Sequence, residues 1–138
     1  MSDYRVPRGG GWRMRTKEII RRYPELCRAE NELHMARLTA PFEEMRSGNE
    51  ASRTTETLAL RELPPEDQRE LDAIRNAIAT TMRYRNGNER IKLIDMVFWR
   101  ARPYPLRPAA DRIHVSYHTA QIWHADFIAL TDAYMRIK

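Results

Sequence analysis

The apolar positions of the chain fall into three helical runs separated by proline- and glycine-rich breaks. From Thr16 onward, Ile19, Ile20, Tyr23, Leu26, Cys27, Leu33 and Leu38 recur at helical spacing, with Thr16 placed to cap the start. Pro24 lies inside this run and is expected to split or bend the helix. Pro41 and the turn-rich MRSGNEAS, residues 45 to 52, are expected to end it. The second run opens at Pro64 and Pro65, a good first helical position, followed by Glu66 and Asp67 at the positive end of the helix dipole. Leu71, Ile74, Ile78 and Met82 then mark one face, so the spacing predicts a helix from about 65 to 84. RNGN closes it. Asn86 and Glu89, three residues apart, read as a capping box for the next helix, whose buried stripe is Ile91, Ile94, Val97 and Phe98.

The third run follows a loop forced by three prolines after Trp99. A short helix is expected from about Arg107 or Pro108 to Ile113, and Ser116 is a good N-cap for a second one. Two helices joined by three or four residues is the geometry of a helix-turn-helix. That geometry needs a small residue at the helix contact, met by Ala110 with Ala109 beside it. It also needs apolar residues at Leu106, Ile113, Val115, Ala120 and Trp123, and all are present. The turn commonly carries glycine because its backbone favours positive φ; here His114 occupies it, a residue that tolerates that region better than a β-branched one. In the second helix Ala120, Trp123, Phe127, Leu130 and Tyr134 fall on one face, which assigns them to the inside.

No long period-2 alternation and no internal repeat competes with these runs, so the expected fold class is all-α: an N-terminal helical region plus a C-terminal helical unit carrying the helix-turn-helix. The expected divisions are a flexible basic tail over 1–15 with Trp12 as its apolar anchor, an N-terminal helical region over 16–52, and a DNA-binding unit over 53–138 with the helix-turn-helix at about 106–135. The N-terminal region is assigned to self-association or polymerase contact.

Composition narrows the function. The 138 residues suffice for one moderate core, and 42% hydrophobic with 31% charged residues is a globular balance. No apolar run approaches the roughly 20 residues needed to span a bilayer, and MSDYRVPRGGGWRMR lacks the apolar middle of a secretory signal. The expectation is a cytoplasmic, nucleoid-associated protein without a membrane partner. Cys27 is the one cysteine, which excludes an internal disulfide and a multi-cysteine zinc site. The net charge of +5 is segregated. Residues 1–17 carry five basic side chains against Asp3, and residues 80–107 carry seven against Glu89 and Asp95. Residues 50–72 carry seven acids against three arginines. Basic patches of this kind favour a polyanion.

The densest polar stretch is ADRIHVSYHTAQIWHADF, residues 110–127. With the inward face assigned, Tyr117, His118, Gln121 and His124 are expected to face outward near the N-terminal half of helix 117–135, the part that enters a major groove. Gln121 suits a bidentate hydrogen bond to adenine; His118 and His124 suit base edges or phosphates; Tyr117 suits a phosphate or a thymine methyl. Arg100, Arg102, Arg107 and Arg112, with Ser116 and Thr119 at the helix start, are the expected phosphate contacts. Histidines at such an interface would also tighten non-specific binding as pH falls.

Metal binding and catalysis fit this stretch less well. His114, His118 and His124 lack a cysteine or a histidine pair on one uninterrupted helix. Asp111 or Asp126 could pair with a histidine, but no nucleophile elbow, phosphate loop or HExxH accompanies them. The sequence thus implies binding without chemistry, and no cofactor.

The stretch IKLIDMVFWRARPYPLRPAADRIHVSYHTAQIWHADFIAL resembles the C-terminal part of the RinA/ArpU-type phage transcriptional regulators. In that family an aromatic FW helix end, a basic loop and a spaced alanine, serine, threonine and tryptophan pattern form a helix-turn-helix similar to region 4 of sigma-70 factors. TKEIIRRYPEL is similar to the family's opening, and TTETLALREL to its linker, so the resemblance covers about residues 16 to 135. It makes Ser116, Thr119 and Trp123 signature positions, while Pro108 and His114 depart from the usual pattern. The resemblance implies activation of late phage or mobile-element genes, with duplex DNA, host RNA polymerase and a second copy of the chain as candidate partners. Two other readings stay open: a phage DNA-packaging small subunit or DNA-bound adaptor with weakly specific binding, and a helix-turn-helix turned protein-interaction module.

Overall fold

The computed structural model describes residues 11–46 and 62–137, with side chains described for 11–38 and 62–137. Every element in these segments is helical, so the all-α expectation holds. Helix α1 spans Gly11–Arg21, α2 Tyr23–Arg46, α3 Pro65–Met82, α4 Gly87–Ile94, α5 Leu106–Arg112 and α6 Tyr117–Arg136; a π-helical turn, Asp95–Trp99, continues α4. Among the described residues no helix is long and apolar enough to cross a membrane. The described residues divide into two compact units, one formed by 11–23 with 69–137 and the other by 24–46 with 62–68. The expected turn residues 47–52, the linker TTETLAL and residues 1–10 of the tail lie outside the described residues.

Helix α1 corrects the first expectation. It begins at Gly11, so residues 11–15 are helical rather than tail, and Thr16 is interior rather than a cap. The buried residues are Trp12, Thr16 and Ile20, one per turn, and the Thr16 hydroxyl donates to the Trp12 carbonyl at 2.8 Å. That bond satisfies a buried hydroxyl without an outside partner. Burying Trp12 and Ile20 contributes about 2 kcal/mol each. Through this face α1 packs on α6 and on the π turn, which places it in the helix-turn-helix unit and not in a separate N-terminal region over 16–52.

The chain turns at Arg22, whose N–H donates to the carbonyls of Glu18 and Ile19. Pro24 then sits in the first turn of α2, where its missing N–H costs nothing, and it separates two helices instead of bending one. Contrary to expectation, α2 continues through Pro41 to Arg46. Leu26 is buried, but Leu38 is 62% exposed and leaves the predicted stripe. In this second unit Leu63 is buried as well, and Cys27, Leu33, His34, Leu63 and Gln68 line a shared groove.

Helix α3 starts at Pro65 as predicted and buries Leu71, Ile74, Ala77 and Thr81, while Met82 is 46% exposed at its end. The capping box does not form. Asn86 has φ 63°, in the left-handed region, and its side chain caps nothing. The turn is made by backbone instead, with Gly87 N–H donating to the Tyr84 carbonyl. Gly87 permits this close approach, because a Cβ there would lie 2.8 Å from Met82 Cα and from the carbonyl oxygens of Thr81 and Met82.

The core under the helix-turn-helix consists of Leu93, Met96, Ala109, Ala110, Ala120 and Trp123, with Val97, Tyr104, Leu106, Ile113 and Val115 packed against it. All the positions the motif requires are present in this cluster. Helix α6 buries Ala120, Trp123 and Phe127 as its spacing predicts, and adds Ile128, Thr131 and Asp132. Its last turns are tied to α3 by a 2.6 Å hydrogen bond between the Thr80 and Tyr134 hydroxyls and by Arg69, which donates to the Met135 carbonyl.

Candidate nucleic-acid interface

The connection between α5 and α6 is set by hydrogen bonds at one helix end and one helix start. His114 has φ 59°, the left-handed conformation that the turn demands. Its N–H donates to the Asp111 carbonyl at 3.2 Å, and the Val115 N–H donates to the Ala110 carbonyl at 3.1 Å. This pair of bonds is a Schellman motif, which satisfies two carbonyls that the end of α5 leaves open. Val115 then folds back onto the cluster around Ala109 and Ala110, the apolar contact that accompanies such a motif. One residue later Ser116 begins α6 with extended backbone. Its Oγ accepts from the Thr119 N–H at 3.0 Å and donates to Thr119 Oγ1 at 2.9 Å. Thr119 thus supports the helix start through both its N–H and its hydroxyl.

On α6, His118 and Gln121 are exposed, as the sequence places them. Ile122 is 45% exposed on the same side, a position that apolar spacing does not single out although it follows His118 by one turn. An exposed isoleucine beside a glutamine and a histidine offers apolar contact of the kind a thymine methyl takes. Tyr117 is half-buried, with the Arg107 guanidinium 4.1 Å from its ring centroid. A cation this close to a ring is held by the ring's negative face, so Tyr117 and Arg107 position each other.

His124 departs from the expected outward face. It is half-buried and stacks on Phe98, with ring centroids 5.4 Å apart and planes parallel to within 1°. On the helix it lies about 60° from Phe127, at the border of the buried arc, and tertiary packing brings that border inside. Burial, and after it the positive charges of Lys17, Arg13 and Arg21, together lower its pKa from 6.5 to about 4. His124 is therefore neutral near pH 7 and supplies no charge to a phosphate there.

The four candidate arginines are exposed but differ in what holds them. Arg100 Nε is 3.0 Å from Asp95 Oδ2, and its guanidinium lies 6.0 Å from the Tyr104 ring. Arg112 lies 5.3 Å from the same ring. Tyr104 is itself anchored by its N–H, which donates to the Met96 carbonyl at 2.8 Å. Arg100, Arg112 and Tyr104 therefore form one group beside α5, and Arg107 with Tyr117 a second at the start of α6. Arg102 is exposed in the loop between the π turn and α5.

Arg90 takes a different place. It lies over the rings of Tyr84 and Trp123, at 5.1 and 5.4 Å, and 3.6 Å from Asp126. This cation props the underside of α6 and pairs Asp126, one of the two acids that a catalytic reading would have used. The three histidines of the motif do not converge: among the described residues no group of three or more histidine, cysteine or acidic side chains could hold a metal ion. Compared with known proteins, the chain matches no family model, no curated protein and no solved structure.

Proposed function

We propose that this chain is a sequence-specific double-stranded DNA-binding regulator of transcription, an activator in phage or mobile-element genes, with a sigma region 4-like helix-turn-helix. The observation that carries this reading is the α5–α6 pair itself. A left-handed residue and a serine cap set the turn between two short-linked helices, and α6 presents His118, Gln121 and Ile122 to solvent, with exposed Arg107 over Tyr117 at its start and exposed Arg102 and Arg112 in the loop and helix that precede it. Side chains that can pair with base edges occupy the N-terminal half of the second helix, and cations that can neutralise phosphates flank it. Base reading is assigned to His118, Gln121 and Ile122, with Tyr117 at the groove edge; His124 belongs to the packing of the helix.

Selection of bound duplexes from a random DNA pool at roughly physiological salt tests this. A compact enriched sequence is the expected outcome, and its symmetry reports whether two copies bind together. Salt-sensitive binding without enrichment would transfer the reading to a packaging subunit or DNA-bound adaptor. No binding would end the DNA reading altogether.

A further inference from the structure

Helix α1 carries Arg13, Lys17 and Arg21 at intervals of four residues, each directly after one of the buried residues Trp12, Thr16 and Ile20. One residue is about 100° round a helix, so the three cations form a single stripe along the edge of the buried face. Arg13 and Arg21 are exposed and Lys17 is half-exposed. The acid of this helix, Glu18, lies about 100° round from Lys17 and one turn before Arg21, at the outer border of the stripe. Three cations over about 12 Å without an interleaved carboxylate make a strong local positive potential.

The position of the stripe gives it a partner. Helix α1 packs on α6 and on the π turn, and the Trp99 indole ties its end down by donating to the Ile20 carbonyl at 2.8 Å. The Arg21 guanidinium lies 5.8 Å from the Phe98 ring, on which His124 of α6 stacks. The charges of Arg13, Lys17 and Arg21 all reach His124, which follows Gln121 by three residues. The stripe thus borders α6 on the Gln121 side, about two turns along from the arginine at Tyr117. A helix seated in a major groove has a phosphate strand along each edge, with one charge every 3.4 Å or so of axis per strand. Fixed cations beside the reading face meet that strand without further ordering of the chain.

We propose that Arg13, Lys17 and Arg21 form a second phosphate-binding edge of the DNA interface, so that α1 grips the strand bordering α6 instead of serving self-association or polymerase contact. This rests on the DNA-binding reading above and extends it to a helix outside the motif.

The test measures affinity of the full chain for its enriched duplex and for a random duplex across a salt series. The proteins are wild type, Lys17→Gln, Arg15→Gln, and the combined Arg13→Gln, Lys17→Gln and Arg21→Gln variant. Removing one cation from a phosphate lowers the slope of log affinity against log salt by about 0.9. Lys17→Gln is expected to lower it by that amount and Arg15→Gln, exposed but off the stripe, by little. The combined variant is expected to lose two to three units of slope, roughly, and at least about tenfold in affinity for both duplexes with the preferred sequence unchanged. Equal effects of Lys17→Gln and Arg15→Gln, or an unchanged slope, overturn the second edge while leaving the regulator reading intact, and leave the stripe to an acidic protein partner. Failure of the wild type to bind any duplex removes both. Because Lys17→Gln is a single change at a half-exposed site, it answers the question even if the combined variant does not fold.

Discussion

The indole Nε1 of Trp99 donates to the carbonyl oxygen of Ile20 at 2.8 Å, across 79 positions of sequence. Ile20 lies in the last turn of α1, where carbonyls have no helical partner, so the tryptophan acts as a C-terminal cap supplied from elsewhere in the fold. The Tyr23 ring, 4.9 Å from the Trp99 ring, covers the same junction. Trp99→Phe keeps an aromatic ring and removes the donor. It is expected to lower unfolding free energy by about 1 kcal/mol, read by urea denaturation. An unchanged midpoint would show that water replaces the indole at no cost.

His114 occupies a conformation that costs most residues about 1 kcal/mol or more. His114→Gly is expected to raise the melting temperature or leave it level, because glycine enters that region without strain but adds entropy to the unfolded chain. His114→Val is expected to destabilise by about 2 kcal/mol, since branching at Cβ adds to the clash. A valine variant as stable as wild type would mean the turn does not need its left-handed residue.

His124 makes stability depend on pH in a direction that can be worked out. Its folded pKa of about 4 lies below the ordinary 6.5, so the unfolded chain binds more protons between those values. The contribution is intact above about pH 6.5, is lost progressively as pH falls, and changes no further below about 4. His124→Phe, which preserves stacking on Phe98, should remove this component. Thermal melts from pH 7 to 4.5 are expected to show a smaller fall for the variant than for wild type. Parallel curves would mean the imidazole is solvated in the native state.

Within the proposed DNA interface, Gln121 and Arg102 separate by role. Gln121→Ala is expected to cost about 1 to 3 kcal/mol at one position of the bound sequence and to relax preference there. Arg102→Ala is expected to weaken all sequences alike and to flatten the salt slope by about one unit. Competition assays against single-base variants of the enriched duplex check both. Equal losses on every duplex for both variants would dissolve the division between reading and positioning.

Local pattern is enough to place the two short-linked helices and their inner faces. Ala110, Ile113 and Val115 follow from what two short-linked helices require at their contact, Ala120 and Trp123 from helical spacing as well, and the Ser116 cap is visible because an N-cap is a local bond between residues three apart. The left-handed turn at His114 is legible for a similar reason, since the length of the link between two helices limits its backbone. The Asn86 and Glu89 pair shows the limit of such reasoning: the spacing was right, but the close approach of Gly87 to the end of α3 set the turn by backbone contact. The place of α1 is settled by long-range packing, because Trp12, Thr16 and Ile20 form a buried face that does not name its partner. That packing turned His124 from an expected outward base reader into a half-buried, neutral ring on Phe98, and set α1, with Arg13, Lys17 and Arg21, against α6 from roughly a hundred residues away in sequence. Helical periodicity reports which side of a helix is apolar, and the border of that side is settled by which neighbour covers it.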